Sequence, residues 1–271
     1  MLFVLPGLLV LLLFRSSATM EAVYASCLLF VRSVMPGLFP YLTLSLMLVS
    51  RLPTGMQDWL LIPLGWCGGS PTGARLLAQV PQMDARRQKH IAVTCATMSP
   101  MFLSGTVSAW TGSVRSGICV LLSVVLGGLG AGLLCGRGKG VARLEASVPL
   151  SFGQAVESSA QTMLLVCGTM AMLRAAAALV GELLAPWPGA ALAATTILEV
   201  TCGCQVIAGL PLPLAWRTAL IAGATGFGGA AILMQNRSVL PRGVMGFAEQ
   251  AWWQAVHGGI SFLLALGMMS L

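Results

Sequence analysis

Charge is scarce in this sequence of 271 residues. Only 8% of the residues are Asp, Glu, Lys or Arg, whereas soluble globular domains carry roughly 25%. Aromatic residues are also few, and hydrophobic residues make up 57% of the chain. These proportions exclude an ordinary soluble protein and predict an all-α polytopic membrane protein. A chain of this length can hold about seven spans of ~20 residues, with short loops and no sizeable soluble domain.

The patterns that identify common enzymes are also absent. The sequence has no G-x-x-x-x-G-K-[ST] phosphate loop, no G-x-S-x-G nucleophile turn and no H-E-x-x-H zinc helix. His90 and His257 have no carboxylate or cysteine partner close to them in the sequence. Cys202 and Cys204 lack the second pair of ligands that a zinc site needs. We therefore predict that the protein is not an enzyme and has neither a metal nor another cofactor.

The chain carries a net charge of +7, which in a membrane protein does not indicate nucleic acid. Lysines and arginines of membrane proteins collect in cytoplasmic loops, and no basic helix with interleaved aromatic residues is present. The lipid bilayer is therefore the predicted partner of most of the surface. Association into a homo-oligomer is left open.

The hydrophobic pattern divides the chain into an N-terminal span and two similar halves. Residues 1–20 hold the first apolar run, for which a cleaved leader is the alternative interpretation. The halves, 21–145 and 146–271, each contain a long helix, then an interrupted apolar segment, then a broken span. The predicted segments are long helices at 22–50, with kinks at Pro36 and Pro40, and at 152–184; interrupted segments at 59–80 and 190–210; a polar loop at 81–90; broken spans at 91–111 and 216–235; and further spans at 117–135 and 244–271.

Glycine, serine and proline interrupt the apolar segments at matching places in the two halves. The stretch GGSPTGA occupies residues 68–74, and LEVTCGCQ occupies residues 198–205. Hydrocarbon cannot satisfy a broken backbone, so such breaks must be buried in protein or line a cavity. Interrupted segments in corresponding halves are typical of secondary transporters. We therefore predict an inverted repeat with two re-entrant helical hairpins, 59–80 and 190–210, together with broken transmembrane helices.

The distribution of basic residues tests this topology. If both interrupted segments are re-entrant, three arginines lie on one side, namely Arg15, Arg115 and Arg217. Nine basic residues then lie on the other side: Arg51, Arg86, Arg87, Lys89, Arg137, Lys139, Arg143, Arg237 and Arg242. The side with nine is cytoplasmic by the positive-inside rule. The two hairpins would then enter from opposite faces of the membrane.

The tip of the first hairpin has the composition of an anion site. Backbone N–H groups at a helix start attract negative charge, and serine and threonine add hydroxyl donors. Arg75, just after the tip, can offer a bidentate fork to a carboxylate. The alternative is that Arg75 extends to the cytoplasmic surface or pairs with an acid.

Glu199 is a carboxylate inside the second interrupted segment, where a charge is costly. It is predicted to serve as a coupling site for a proton or sodium ion, or as a substrate contact. The alternative is a structural role, in which Glu199 pairs with Arg217 or accepts hydrogen bonds from the hairpin backbone.

Five motifs in this order resemble the sporulation integral membrane protein YlbJ family. They are VMPGLFPY (34–41), GGSPTGARLLAQ (68–79), MSPMFLSGTV (98–107), LEVTCG (198–203) and GFGGAAILMQ (226–235). The similarity covers most of the chain from about residue 20. The sequence departs from the family's pattern at GGSP, where a tyrosine is expected between glycine and proline. The family belongs with nucleoside-recognition, or Gate, domain proteins, and its architecture is similar to that of concentrative nucleoside transporters.

The resemblance implies a role in endospore formation, with dipicolinate transport into the forespore across its outer membrane. Dipicolinate is a small planar dianion, so a site rich in N–H and hydroxyl donors suits it. The predicted location is thus the bacterial cell membrane, in particular the outer forespore membrane. A nucleoside, bound through Glu199, Gln205, Gln235 and Asn236, is one alternative substrate. A membrane assembly protein that transports nothing is the other alternative.

The predicted substrate-binding residues lie at the interruptions of the two halves. They are Gly69, Ser70, Thr72, Gly73, Arg75, Ser99, Glu199, Thr201, Gly203, Gln205, Gly228, Gly229 and Gln235.

Overall fold

The computed structural model describes residues 4–52, 57–80, 83–138 and 149–271, and every regular element within them is a helix. Four helices are long and apolar enough to cross a membrane: Ser16–Val49, Val114–Cys135, Phe152–Leu183 and Leu214–Val239. The chain is therefore an all-helical, multi-pass membrane protein, as the composition predicted. Lys139, Arg143 and the predicted boundary between the halves lie outside the described residues.

Fourteen α-helices make up the described part of the chain. They are α1 (Val4–Phe14), α2 (Ser16–Leu29), α3 (Met35–Val49), α4 (Gln57–Gly68), α5 (Thr72–Leu77), α6 (Ala85–Thr94), α7 (Val107–Thr111), α8 (Val114–Cys135), α9 (Phe152–Leu183), α10 (Pro188–Leu198), α11 (Val200–Ala208), α12 (Leu214–Phe227), α13 (Gly229–Val239) and α14 (Phe247–Ser270). Two π-helical segments, Phe30–Val34 and Phe102–Thr106, connect α2 to α3 and lead into α7.

The first long helix begins at Ser16, six residues before the predicted start, and continues to Val49. The predicted distortion near Pro36 takes the form of the π-helical segment, which ends just before α3. Proline has no N–H to donate to the carbonyl four residues back. In the turn just before Pro36, the Met35 N–H donates to the Phe30 carbonyl, five residues back. The wider turn therefore accommodates the proline without ending the helix.

The predicted polar loop at 81–90 is wrong for residues 85–90, which form the first part of α6. Asp84 caps this helix, since its carboxylate accepts hydrogen bonds from the N–H groups of Arg86 and Arg87 at 3.1 and 3.2 Å. An aspartate at this position satisfies N–H groups that have no partner within the helix. The many charges of this segment suggested a loop, but they lie on a capped helix.

The chain is not helical between α6 and residue 100, which is a longer break than the Ser99–Pro100 interruption predicted. Backbone groups exposed by this break find partners in the first helix pair, α4 and α5. The Trp66 indole N–H donates to the Thr94 carbonyl at 2.9 Å, and the Ser70 N–H donates to the Thr97 carbonyl. The turn between α4 and α5 is thus tied to the break after α6.

The second half is interrupted at two points that the sequence indicated. Glu199 separates α10 from α11, and Gly228 separates α12 from α13. The helices on either side of Glu199 pack closely, because Gly203 lies directly against Thr196. The second half thus has a helix pair, α10–α11, followed by a broken helix, α12–α13. The first half has the same order, with α4–α5 followed by the broken segment 85–111.

Small residues bring α8, α12 and α14 into close contact. A Cβ atom at Gly127 or Gly226 would lie 2.3 or 2.6 Å from the Ser261 hydroxyl oxygen. Close approach at small residues is a common basis of helix packing in membranes. This packing builds the apolar cluster around Val120 and Ile221, while a second cluster, around Leu42, Leu76 and Met163, joins α3, α5 and α9. The candidate site lies between them.

Candidate functional site where the helix breaks meet

A cavity of about 40 Å³ lies where the interrupted helices meet. Its polar lining comes from the turn before α5 (Ser70), the break after α6 (Ser99), the start of α11 (Glu199 and Thr201) and from α13 (Gln235). All five were predicted as substrate-binding residues, and the fold brings them to one place. One water needs roughly 10–15 Å³, so the cavity has room for about three waters in this conformation.

The rest of the lining is apolar and comes from both clusters. The first long helix (Ser16–Val49) contributes Val34 and Leu38, and α9 contributes Val166 and Met170. The segment after the α6 break contributes Phe102. A mostly apolar wall with a few convergent polar groups is typical of small-molecule sites. Sequence reasoning did not find these apolar residues, because their spacing on a helix is that of any buried face.

The starts of α11 and α13 face the cavity through Val200 and Ala231. The first N–H groups of a helix have no intrahelical partner and give this end a partial positive charge. Glu199 caps α11, whereas the residue before α13, Gly228, has no side chain to cap that helix. The cavity therefore lies beside the starts of two helices, of which only that of α13 lacks a side-chain cap.

The Glu199 carboxylate is buried and contacts several hydrogen-bond donors and one guanidinium group. Glu199 is only 1% exposed, and its carboxylate accepts hydrogen bonds from Thr201 N at 3.1 Å and Cys202 N at 2.8 Å. The Thr201 hydroxyl donates to the same carboxylate at 2.5 Å. The Arg174 guanidinium, on α9, lies 3.8 Å from Oε2. The carboxylate thus fixes the start of α11 and connects it to α9.

The suggested structural pairing of Glu199 with Arg217 is wrong. The Arg217 guanidinium donates instead to the Ala208 carbonyl at 2.6 Å, at the end of α11. Carbonyls in the last turn of a helix have no intrahelical partner. Arg217 therefore satisfies the end of α11, while Arg174 neutralises the acid at its start. The signal that could have identified Arg174 is its position as the one basic residue within the long apolar run of α9.

Arg75 does not line the cavity. Its Nη2 atom donates to the Ser158 hydroxyl on α9 at 2.7 Å, so it links α5 to α9. Gln205 is exposed on α11 and also lies outside the lining. Asn236, which was considered only for a nucleoside, donates to the Ser70 hydroxyl at 3.3 Å. This bond connects α13 in the second half to the turn of the first half.

Several predicted residues shape the site from behind its lining. A Cβ atom at Gly73 would lie 2.4 Å from the Cys95 Cβ, and one at Gly203 would lie 2.1 Å from the Thr196 hydroxyl oxygen. Thr72 is fully buried beside the turn. The remaining predicted glycines, Gly69, Gly228 and Gly229, form the turns at which the helices change direction. These residues allow the breaks to approach one another and do not themselves line the cavity.

No group of three or more His, Cys, Asp or Glu side chains that could hold a metal occurs in the part of the chain that the structure describes.

Comparisons of the chain with protein-family models, curated proteins and solved structures gave no match.

Proposed function

We propose that the protein is a membrane transporter and that the cavity between the helix breaks is its solute site. The supporting observation is that four polar side chains from three separate interruptions, together with Gln235 on α13, meet in one cavity. Broken helices are expensive in a membrane unless protein or a cavity satisfies their backbone, and transporters place their solutes at such breaks. A protein that only assembles other proteins has no need of this arrangement.

The architecture that we propose is the inverted repeat predicted from the sequence. In it, α4–α5 and α10–α11 are the two re-entrant hairpins and enter from opposite faces. Their turns meet the broken segments 85–111 and 214–239 at the cavity. The hydrogen bond from Asn236 to Ser70 joins the two halves at this point and supports the proposal.

A small organic anion is the solute class that we propose. Hydroxyl groups of Ser70 and Ser99 and the amide of Gln235 line the cavity, and each can donate a hydrogen bond to a carboxylate. Glu199 would repel an anion, but its charge is already balanced by hydrogen-bond donors and by Arg174. Together with the resemblance to the YlbJ family, this supports dipicolinate as the solute and the outer forespore membrane as the location.

A nucleoside is the second candidate. Gln235 favours it, because this amide lines the cavity and is 3% exposed, and its side chain forms no hydrogen bond with the rest of the described chain. A free amide next to a carboxylate can bind the ring and the hydroxyls of an uncharged solute. The two candidates differ in charge, so a competition experiment separates them.

Transport by the purified protein in vesicles tests the proposal. We expect exchange of labelled dipicolinate that unlabelled dipicolinate inhibits and uridine does not. In Gln235→Leu the apparent affinity should fall about ten- to a hundredfold, since a hydrogen bond to a charged group is worth ~1.5–3 kcal/mol. Gln205→Leu is the matched control, because Gln205 is exposed and outside the lining, and it should behave like the wild type.

Three outcomes would count against this assignment. Inhibition by uridine would favour the nucleoside. Equal effects of the two glutamine variants would remove the cavity as the site. The absence of any exchange by well-folded protein would contradict transport itself.

The proposed topology predicts which residues face the cytoplasm. Arg86 and Arg115 are both exposed and lie on opposite sides in the proposed arrangement. In a background without cysteine, a cysteine at position 86 should react with a membrane-impermeant maleimide only from the cytoplasmic side. A cysteine at position 115 should react only from the other side. Labelling of both positions from one side would contradict the crossing of the membrane by the broken segment 91–111, on which the proposed arrangement depends.

A further inference from the structure

A second cavity, of about 10 Å³, lies beside α14. Its polar lining consists of Gln250, Gln254 and His257 on α14 and Asn236 on α13. The remaining lining side chains are apolar and come from α5, α6, the break after α6, the segment between α13 and α14, and α14 itself, and none of the lining residues is an acid, a lysine or an arginine. The sequence analysis assigned no role to this group.

Four buried polar atoms in this cavity have no hydrogen-bond partner within the described chain. They are Gln250 Oε1, Gln254 Oε1, Gln254 Nε2 and His257 Nδ1. The three side chains are 5%, 3% and 0% exposed. A buried polar group without a partner costs ~1–3 kcal/mol, so these groups require a polar occupant. The volume is that of a single water molecule.

The hydrogen bond on the other side of the ring defines the state of His257. Its Nε2 atom lies 2.8 Å from the Val124 carbonyl oxygen, and a carbonyl can only accept. Nε2 therefore carries the hydrogen, and Nδ1 of the neutral ring is an acceptor. A proton added at Nδ1 would have potential acceptors nearby, because Gln250 and Gln254 line the same cavity and their amide oxygens have no hydrogen-bond partner within the described chain.

Glu199 shows the opposite arrangement. Each of its contacts comes from a donor: two backbone N–H groups, the Thr201 hydroxyl and Arg174. A proton on this carboxyl would find an acceptor only in the Thr201 hydroxyl oxygen, and the negative charge that the two N–H groups and Arg174 stabilise would be lost. The geometry therefore favours proton uptake at His257 over Glu199, for which the sequence suggested either a coupling role, for a proton or sodium ion, or a contact with the substrate.

Asn236 connects this cavity to the solute site. It lines the second cavity, and its amide donates to the hydroxyl of Ser70, which lines the first. The neighbouring residue Gln235 lines the first cavity directly. A change in the charge of His257 or in its water can thus alter the position of α13 and of the first turn.

We propose that His257 is the proton-binding residue of a proton-coupled transport cycle, an inference that rests on the proposed function. Nδ1 takes one proton from water on one side of the membrane, which converts the imidazole to imidazolium. The new N–H donates to a glutamine oxygen, directly or through the enclosed water. The same proton leaves to water on the other side when the anion is released. Around the ring, α8 contributes the Val124 carbonyl and two glycines, and α6 contributes the side chains of Ala92 and Val93 to the cavity and the Thr94 carbonyl beside Gly128. The residues of α12 against the neighbouring Gly258 are Gly223 and Phe227, so none of these neighbours is charged.

The protonation state of His257 can be measured without any transport assay. The chain contains only two histidines, so protein labelled with ¹⁵N-histidine and reconstituted in liposomes gives two imidazole signals. His257→Gln removes one of them and thereby assigns the other. At high pH we expect Nε2 protonated and Nδ1 bare, with Nδ1 gaining a proton as the pH falls. A ring that stays neutral throughout the pH range in which gradient-driven uptake changes would overturn the proposal.

Transport by two variants tests the coupling. In His257→Gln the side-chain amide can still donate to the Val124 carbonyl but cannot take up a proton. In Gln254→Leu an acceptor for the new N–H is lost. Both should lose accumulation driven by a pH gradient, so that uptake falls to the level reached by exchange alone. His90→Gln is the matched control, because it replaces the other buried histidine, and it should retain accumulation.

These experiments distinguish failure of the proposed function from failure of the role of His257. If folded wild-type protein neither exchanges nor accumulates solute, the proposed function fails, whatever the histidine signals show. If it accumulates solute and His257→Gln accumulates equally well, transport stands and the role of His257 is overturned. The role of His257 is also overturned if Gln254→Leu accumulates solute as well as His90→Gln does.

Discussion

Gly69→Ala is expected to lower the melting temperature of the purified protein steeply and to leave little folded protein. Gly69 has a φ of +73°, which costs an L-residue about 1–2 kcal/mol. A Cβ atom there would also lie 2.3 Å from the Ser99 backbone nitrogen and 2.7 Å from its Cα. Because backbone cannot rotate away as a side chain can, relieving this contact adds an overpacking cost of ~1–3 kcal/mol.

Gly112→Ala is the matched control for this prediction. Gly112 also has a positive φ, of +65°, but a Cβ atom added there would have no neighbouring atom within 4 Å. It should therefore show the conformational cost alone and keep transport activity. Equal melting temperatures for the two variants would mean that the contact between the turn and Ser99 is unimportant.

Glu199→Ala is expected to abolish transport and to destabilise the protein. The change removes the cap of α11, a loss worth ~0.5–2 kcal/mol, and leaves Arg174 without its acid. Breaking a fully buried ion pair costs ~3–5 kcal/mol, but the Arg174 side chain is 21% exposed, so this contribution should be smaller. Chemical denaturation in detergent measures the sum.

A double-mutant cycle isolates the pair. Arg174→Ala in the Glu199→Ala background should cost less than it does alone, because the acid that it would leave unpaired is already gone. The control pair is Arg15 and Glu182, which are 3.5 Å apart but 63% and 42% exposed. Such surface pairs typically contribute ~0–1 kcal/mol. Additive effects of the Glu199 and Arg174 variants would show that the two side chains do not stabilise each other.

Local chemistry allowed the breaks and the polar part of the cavity lining to be predicted from the sequence. Ser70 and Ser99 border prolines, and Glu199 is a single acid in an apolar run. Each is a residue that hydrocarbon would not tolerate without a partner, so each identified its own position. The error at residues 85–90 came from the same reasoning, because a capped, charged helix at a surface resembles a loop in composition.

Pairings between distant residues could not be predicted in the same way. Arg75 and Ser158 are 83 positions apart, and only the packing of α5 on α9 brings them together. The choice of Arg174 over Arg217 as the partner of Glu199 depends in the same way on which helices pack against one another. The partnerless Nδ1 of His257 likewise becomes visible only when α14 is placed against α8 and α13.

The small size of the central cavity affects how tightly any solute can be held. It has room for about three waters, so a solute with an aromatic ring would have to bind a wider conformation, populated by only a fraction of the molecules. The measured dissociation constant is then the intrinsic one divided by that fraction. If about one molecule in a hundred is open, affinity is about a hundredfold weaker than the contacts alone would give. Substitutions that loosen the apolar wall between α3 and α9 would raise the open fraction and so tighten binding, even though they remove contacts.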